Sequence, residues 1–203
     1  SSAPAHHHHE PAVLHHTLLP LTDARCGINC ISSGTLRDVL LGRRFADAYD
    51  RVFVLDCRFG YEYRGGHIAG ATHCPDAATL RALLQRAPTR FDGARTCIVL
   101  HCEFSSQRGP DMYRALRRWD RRQHEECYPQ LHYPELYVLA GGYKQFFTDC
   151  PELCEPRAYQ PMLDRAYAAD MKAGLATIAR RKNTRSVSCQ NLGVRDLRKS
   201  LKW

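Results

Sequence analysis

His101-Cys102-Glu103-Phe104-Ser105-Ser106-Gln107-Arg108-Gly109-Pro110 follows the apolar run Cys97-Ile98-Val99-Leu100 and precedes a helical pattern that Pro110 can open in its first turn. The apolar run reads as a buried strand, which places Cys102 in a strand-to-helix loop. Such a loop aims backbone N–H groups and the positive end of the helix dipole at whatever fills its bowl. Anions are favoured there, and so is negative charge on the Cys102 sulfur. Arg108 closes the loop with five residues between it and Cys102. Its planar guanidinium can hold two phosphate oxygens while the amides of Glu103, Phe104, Ser105, Ser106 and Gln107 take the rest. The pattern predicts a thiolate aimed at phosphorus. Attack forms a phosphocysteine that water resolves, and preorganised donors match the charge on the equatorial oxygens of the transition state.

Outward from this loop, Val52-Phe53-Val54-Leu55-Asp56 reads as a central parallel strand. Asp56, Arg58, Glu62 and His67 follow its carboxyl end and are expected to support the fold, because buried charges must be paired. Ile31 to Thr35 leads into a helix bearing Leu36, Val39, Leu40 and Leu41 behind a Ser/Thr cap. Ala77 to Arg86, with Leu80, Leu83 and Leu84, reads as an amphipathic helix ended by Pro88. The helix from Pro110 to about Arg122 turns Met112, Leu116 and Trp119 inward and carries five arginines on its other faces. Leu136 to Leu139 is the last clear strand, and Gly141-Gly142 starts a helix with Phe146 and Phe147. The expected organisation is a disordered His- and Pro-rich segment over residues 1–25, one catalytic domain over 26–165, and a basic helix and tail over 166–203.

The 203 residues suffice for one domain with a substantial core. No apolar run approaches the roughly 20 residues of a membrane span, and a soluble, intracellular protein is expected. The ten cysteines are spread along the chain. Ample apolar content and a cysteine in a nucleophile's position favour free thiols over a disulfide framework. Cys26 with Cys30 and Cys150 with Cys154 lack the two-residue spacing of most zinc knuckles, so no metal and no cofactor is expected. The net charge is +8, and residues 170–203 hold nine Lys and Arg against two Asp. A basic tail on a nearly neutral body suits docking to an acidic partner or a nuclear address, or is simply solvated.

His101 to Pro110 closely resembles the signature of the M-phase inducer phosphatases, the cell-division-cycle dual-specificity phosphatases of rhodanese-like fold. Leu55 to Ala71, reading LDCRFGYEYRGGHIAGA, resembles the first signature of that family. Leu136 to Phe147, followed by Cys154-Glu155-Pro156, resembles its end. The resemblance covers roughly Ile31 to Met162. It implies an α/β fold, a central mostly parallel sheet flanked by helices on both faces. It also implies a monomeric protein tyrosine phosphatase acting on phosphotyrosine and phosphothreonine of a cyclin-dependent kinase bound to cyclin, in nucleus and cytoplasm, with no nucleic acid or membrane partner. By the same resemblance Cys57 is a redox partner that can form a disulfide with Cys102, and Arg117, Arg121 and Tyr128 dock the kinase.

Two residues depart from the family pattern. Gln107 stands where a glutamate is usual, so a general-acid role passes to Glu103, another group or the substrate phosphate itself. Activity is expected to survive this change. Asp111 replaces a basic residue at the mouth of the anion site. Alternatives within the fold are a sulfurtransferase, whose loop is typically one residue shorter, and an arsenate reductase that recruits Cys57. A catalytically silent kinase-docking module is the alternative from another class, and the intact Cys102 and Arg108 argue against it.

Overall fold

The computed structural model describes residues 17–22, 27–87, 92–123, 125–127 and 129–180. Five strands form a wholly parallel sheet in the order β1 (Cys30–Ile31), β6 (Glu135–Leu139), β5 (Thr96–His101), β2 (Arg51–Asp56), β4 (Thr72–His73). A small antiparallel pair, β3 (His67–Ile68) with β7 (Cys154–Glu155), lies apart from it. β5 is buried at every position because both faces of the sheet are covered. Its side chains alternate between two cores. Cys97 and Val99 pack with Leu36 and Val39 of α1 (Ser33–Leu40) and Tyr143 and Phe146 of α5 (Gly142–Asp149). Ile98 and Leu100 pack with Leu80 and Leu84 of α3 (Ala77–Leu84) and Met112 and Leu116 of α4 (Arg108–Gln123). The expected parallel sheet with helices on both faces is therefore what the chain forms.

Local chemistry sets the helix starts. The Ser32 hydroxyl accepts from the Thr35 amide at 3.1 Å, and the Asp76 carboxylate accepts from the amides of Ala78 and Thr79 at 2.9 Å. Leu41, expected on the inner face of α1, lies beyond the last turn and is exposed. Pro88 lies outside the described residues.

The expectation of disorder through residue 25 is corrected at residues 17–22. Leu19 is buried in the α1/α5 core, and the Leu18 and Leu19 amides donate to Glu135 Oε2 and to the Tyr137 hydroxyl at 3.1 and 3.2 Å. Glu135 also accepts from the hydroxyls of Tyr49 and Tyr137. A buried carboxylate needs such donors, and here it recruits the N-terminal segment as one of them. At the other end, a helix over residues 168–180 (α6) packs back on the body: Tyr167 stacks on Tyr61 with ring centroids 4.7 Å apart.

Candidate active site

The site forms at the carboxyl end of β5, where the chain turns into α4. Parallel pairing sets Asp56 beside His101, and the Cys57 amide donates to the His101 carbonyl at 2.8 Å. Cys102 is therefore the first residue beyond the sheet, where α/β folds place their ligands. Its carbonyl accepts from the Tyr143 amide at 2.9 Å, and that of Glu103 from the Lys144 amide at 3.0 Å, which pins the loop to the start of α5. Gly142 permits this approach. Its φ is +63°, and a β-carbon there would lie 2.5 Å from the Cys102 and Glu103 carbonyl oxygens.

Ser105 takes a left-handed conformation with φ +52°, uncommon outside glycine, at the turn of the loop. Among the described residues, none of the amides of Glu103 to Gln107 donates to a protein acceptor. They are left for an anion, as the loop reading requires. The Cys102 side chain is buried at the base.

Arg108 stands at the first turn of α4 and forms a two-pronged pair with Glu62. Nη1 donates to Oε2, and Nη2 donates to Oε1 at 3.1 Å. Glu62 is fully buried and also accepts from the Phe59 amide at 2.9 Å. The Phe59 ring lies under the guanidinium at 4.9 Å. Burial disfavours charge on Arg108, but the Glu62 hydrogen bonds prevail and raise its pKa, so it stays a cation. Glu62 is thus more than a fold-supporting charge: it sets the arginine's plane.

Asp56 and Arg58 meet the expectation of a structural pair. Arg58 Nη2 donates to Asp56 Oδ2 at 2.6 Å and to the Gly66 carbonyl at 2.7 Å, and its guanidinium covers the Tyr143 ring at 3.9 Å. His101 Nε2 is 3.9 Å from Asp56 Oδ2, and burial lowers the histidine's pKa. Burial opposes charge on Asp56, but His101 and Arg58 outweigh it and lower the carboxyl's pKa.

Glu103, expected as a possible proton donor, is buried and held as an acceptor. Its Oε1 takes the Tyr159 hydroxyl and, at 3.3 Å, the Met162 amide. A carboxylate engaged this way anchors the 159–162 segment instead of standing free as an acid. Phe104, Ser106 and Gln107 face a cavity of about 520 Å³ that Cys57 and Arg108 also line. The roof comes from Met162 and from Leu175 and Ile178 of α6. Gly174 of the same helix lies on Phe59, where a β-carbon would sit 2.4 Å from the ring. A basic helix was expected in this region, and its packing on the site depends on the distant ring of Phe59, which no local pattern announces.

The docking assignment of Arg117 is corrected. Its guanidinium is mostly buried and donates to the Tyr133 and Pro134 carbonyls at 2.8 and 3.1 Å and to Asp120 at 3.3 Å, so it ties α4 to the approach to β6. Arg121 is exposed on the last turn of α4. Tyr128 and the tail beyond residue 180 lie outside the described residues. No group of three or more metal-ligating side chains occurs among the described residues.

The chain belongs to the rhodanese-like domain family, whose family model matches residues 40–149. Among curated relatives it is 46% identical over 143 residues to M-phase inducer phosphatase 1 of Homo sapiens, covering 70% of this chain and 27% of the relative. It is 43% identical over 159 residues to the M-phase inducer phosphatase of Drosophila melanogaster, covering 73% and 33%. The chain thus spans about a third or less of these relatives' length. Among solved structures, a yeast protein tyrosine phosphatase of the rhodanese family aligns with a TM-score of 0.47 at 24% identity, over 66% of this chain and 94% of that one.

Proposed function

We propose that this chain is a cysteine-dependent, dual-specificity protein phosphatase of the M-phase inducer type. The observation that carries the reading is the loop itself: a buried Cys102, unpaired amides from Glu103 to Gln107, and Arg108 held flat by Glu62 around one anion-sized bowl. A phosphate seated there meets the arginine fork and the amides with its equatorial oxygens, and the Cys102 sulfur lies beneath phosphorus for in-line attack. The donors are aimed before substrate arrives, so they stabilise the transition state without reorganising. Glu103 is engaged by Tyr159 and Met162, and a monoprotonated substrate phosphate supplies the leaving group's proton. Water then cleaves the phosphocysteine.

The names of the relatives support a cell-cycle role. The substrate we propose is phosphotyrosine and phosphothreonine of a cyclin-dependent kinase bound to its cyclin. Arg121 and the basic tail provide cationic surface for that partner and suit residence in nucleus and cytoplasm. Cys57, beside Cys102 at the carboxyl end of the sheet, serves as its redox partner. The test is phosphate release from a doubly phosphorylated kinase–cyclin complex, read at each site by mass spectrometry. Loss of both phosphates is expected. Hydrolysis of aryl phosphates with the kinase complex untouched would refute the substrate assignment.

A further inference from the structure

Three strands end in a cysteine at the same level of the sheet. Asp56 on β2 is in register with His101 on β5 and with His73 on β4, so the next residues, Cys57, Cys102 and Cys74, form one row across neighbouring strands. Two hydrogen bonds continue the register past the strand ends: the Cys57 amide to the His101 carbonyl, and the Cys74 amide to the Asp56 carbonyl, each 2.8 Å. All three side chains are buried in the same core, on the α3/α4 face, and all are free thiols. Neighbouring strands lie roughly 4.8 Å apart, within the roughly 4.4 to 6.8 Å between α-carbons that a disulfide spans. Cys57 is central and can bond to either neighbour. Cys74 and Cys102 are two strands apart, roughly 10 Å, so neither reaches the other directly.

We infer that Cys74 is a second redox thiol, which takes the disulfide from Cys57 and returns Cys102 to its free, active form. The inference rests on the reading of Cys57 as the partner of Cys102. A peroxide first transfers an oxygen atom to Cys102, oxidising its sulfur by two electrons to the sulfenic acid, and leaves as water or an alcohol. The Cys57 thiol attacks that sulfur. The Cys57–Cys102 bond forms, the S–O bond breaks, and hydroxide departs with the Cys57 proton as water. Cys74 then attacks the Cys57 sulfur. The Cys57–Cys74 bond forms, the Cys57–Cys102 bond breaks, and the electron pair stays on Cys102 while the Cys74 proton is lost to it or to solvent. This last step is an exchange with no net oxidation, and its direction follows from the leaving sulfur, which sits in the anion-stabilising loop at the start of α4.

Burial raises the pKa of both reserve thiols, that of Cys74 to about 12, which keeps them protonated and unreactive toward solvent oxidants until the neighbouring sulfur is oxidised. Cys57 lines the 520 Å³ cavity and Cys74 is sealed behind it, so oxidation passes from the open site to the interior. One oxidising event is thereby stored on Cys57–Cys74 without loss of the catalytic thiol.

The three cysteines fall on separate tryptic peptides, ending at Arg58, Arg81 and Arg108; the last also holds Cys97, so fragment-ion mapping assigns the bridged cysteine within it. The chain is pulsed with one equivalent of hydrogen peroxide and quenched with catalase. Samples are alkylated over time and mapped without reduction, alongside aryl phosphate hydrolysis. The expected course is a Cys57–Cys102 bridge that decays as Cys57–Cys74 grows, with hydrolysis recovering in step and without added thiol. In Cys74→Ala the first bridge persists, and recovery slows at least tenfold. A Cys57–Cys102 bridge that persists in the wild type, or a Cys74→Ala chain that recovers at the wild-type rate, overturns the inference. If the alanine variant does not fold, the wild-type bridge map decides alone. Bridges are read by mass, so absent hydrolysis would count against the phosphatase reading and not the relay. Conversely, an active phosphatase whose Cys102 passes straight to sulfinic acid would sink the relay alone.

Discussion

Arg58 and Arg108 are both held by a carboxylate within the same end of the sheet, yet they do opposite work. Arg58 and Asp56 are both sealed from solvent, and the arginine's remaining contacts are the Gly66 carbonyl and the Tyr143 ring. Arg108 has an equally buried partner in Glu62, but its own side chain keeps 15% exposure and lines the cavity. The first pair fills space with charge that must stay paired. In the second pair, the buried partner fixes the plane of a cation whose free edge awaits an anion. Burial of one partner or of both separates positioning from structure, even though the ion-pair chemistry is the same.

The comparison breaks most easily at the sealed pair. Asp56→Asn leaves Arg58 charged and partly unpaired in the core, and is expected to lower unfolding free energy by about 3–5 kcal/mol, measured by urea denaturation. A loss below 1 kcal/mol would mean the pair is not structural. Arg108→Lys keeps charge but loses the fork, and is expected to reduce kcat/KM for an aryl phosphate by about 10²–10³-fold while stability changes little. Glu62→Gln sharpens the contrast further. It keeps one acceptor for Arg108, and about a tenfold fall in kcat with little change in KM is expected, because an unoriented arginine still binds phosphate.

The smallest effect is a pH dependence. Burial holds His101 below its ordinary pKa of 6.5. The unfolded chain therefore binds more protons just below that value, so stability rises with pH there and is lost as pH falls through about 6.5. Between pH 7.5 and 5.5 the wild type is expected to lose more stability than His101→Asn, measured by urea denaturation at each pH. Equal losses would place the histidine's protonation elsewhere.

Much of this was legible in the chain. β5 announces itself because a strand covered on both faces carries an unbroken apolar run, here Cys97 to Leu100, and the loop spacing from Cys102 to Arg108 is local information. What was not legible depends on distant partners. Glu62 meets Arg108 across 46 residues, and Tyr159 and Met162 meet Glu103 across 56 and 59. Nothing in the neighbourhood of Glu62 or Glu103 marks which carboxylate clamps the arginine and which anchors a loop. Arg117 was misread for a related reason. On a helical wheel it joins the charged face of α4, but two carbonyls from the segment before β6 reach it and take its donors. Leu19 was hidden inside a low-complexity stretch, because its place in the core is created by the buried acceptor Glu135 and by Tyr137.

The central claim is that Cys102, cradled by its loop, is a nucleophile toward phosphorus. Its most direct test is aryl phosphate hydrolysis by the wild type and Cys102→Ser, with sulfur transfer from thiosulfate to cyanide measured in parallel. The account predicts phosphate release that the serine variant loses, and no sulfur transfer by either. Sulfur transfer without phosphate release, or hydrolysis that survives in Cys102→Ser, would contradict it.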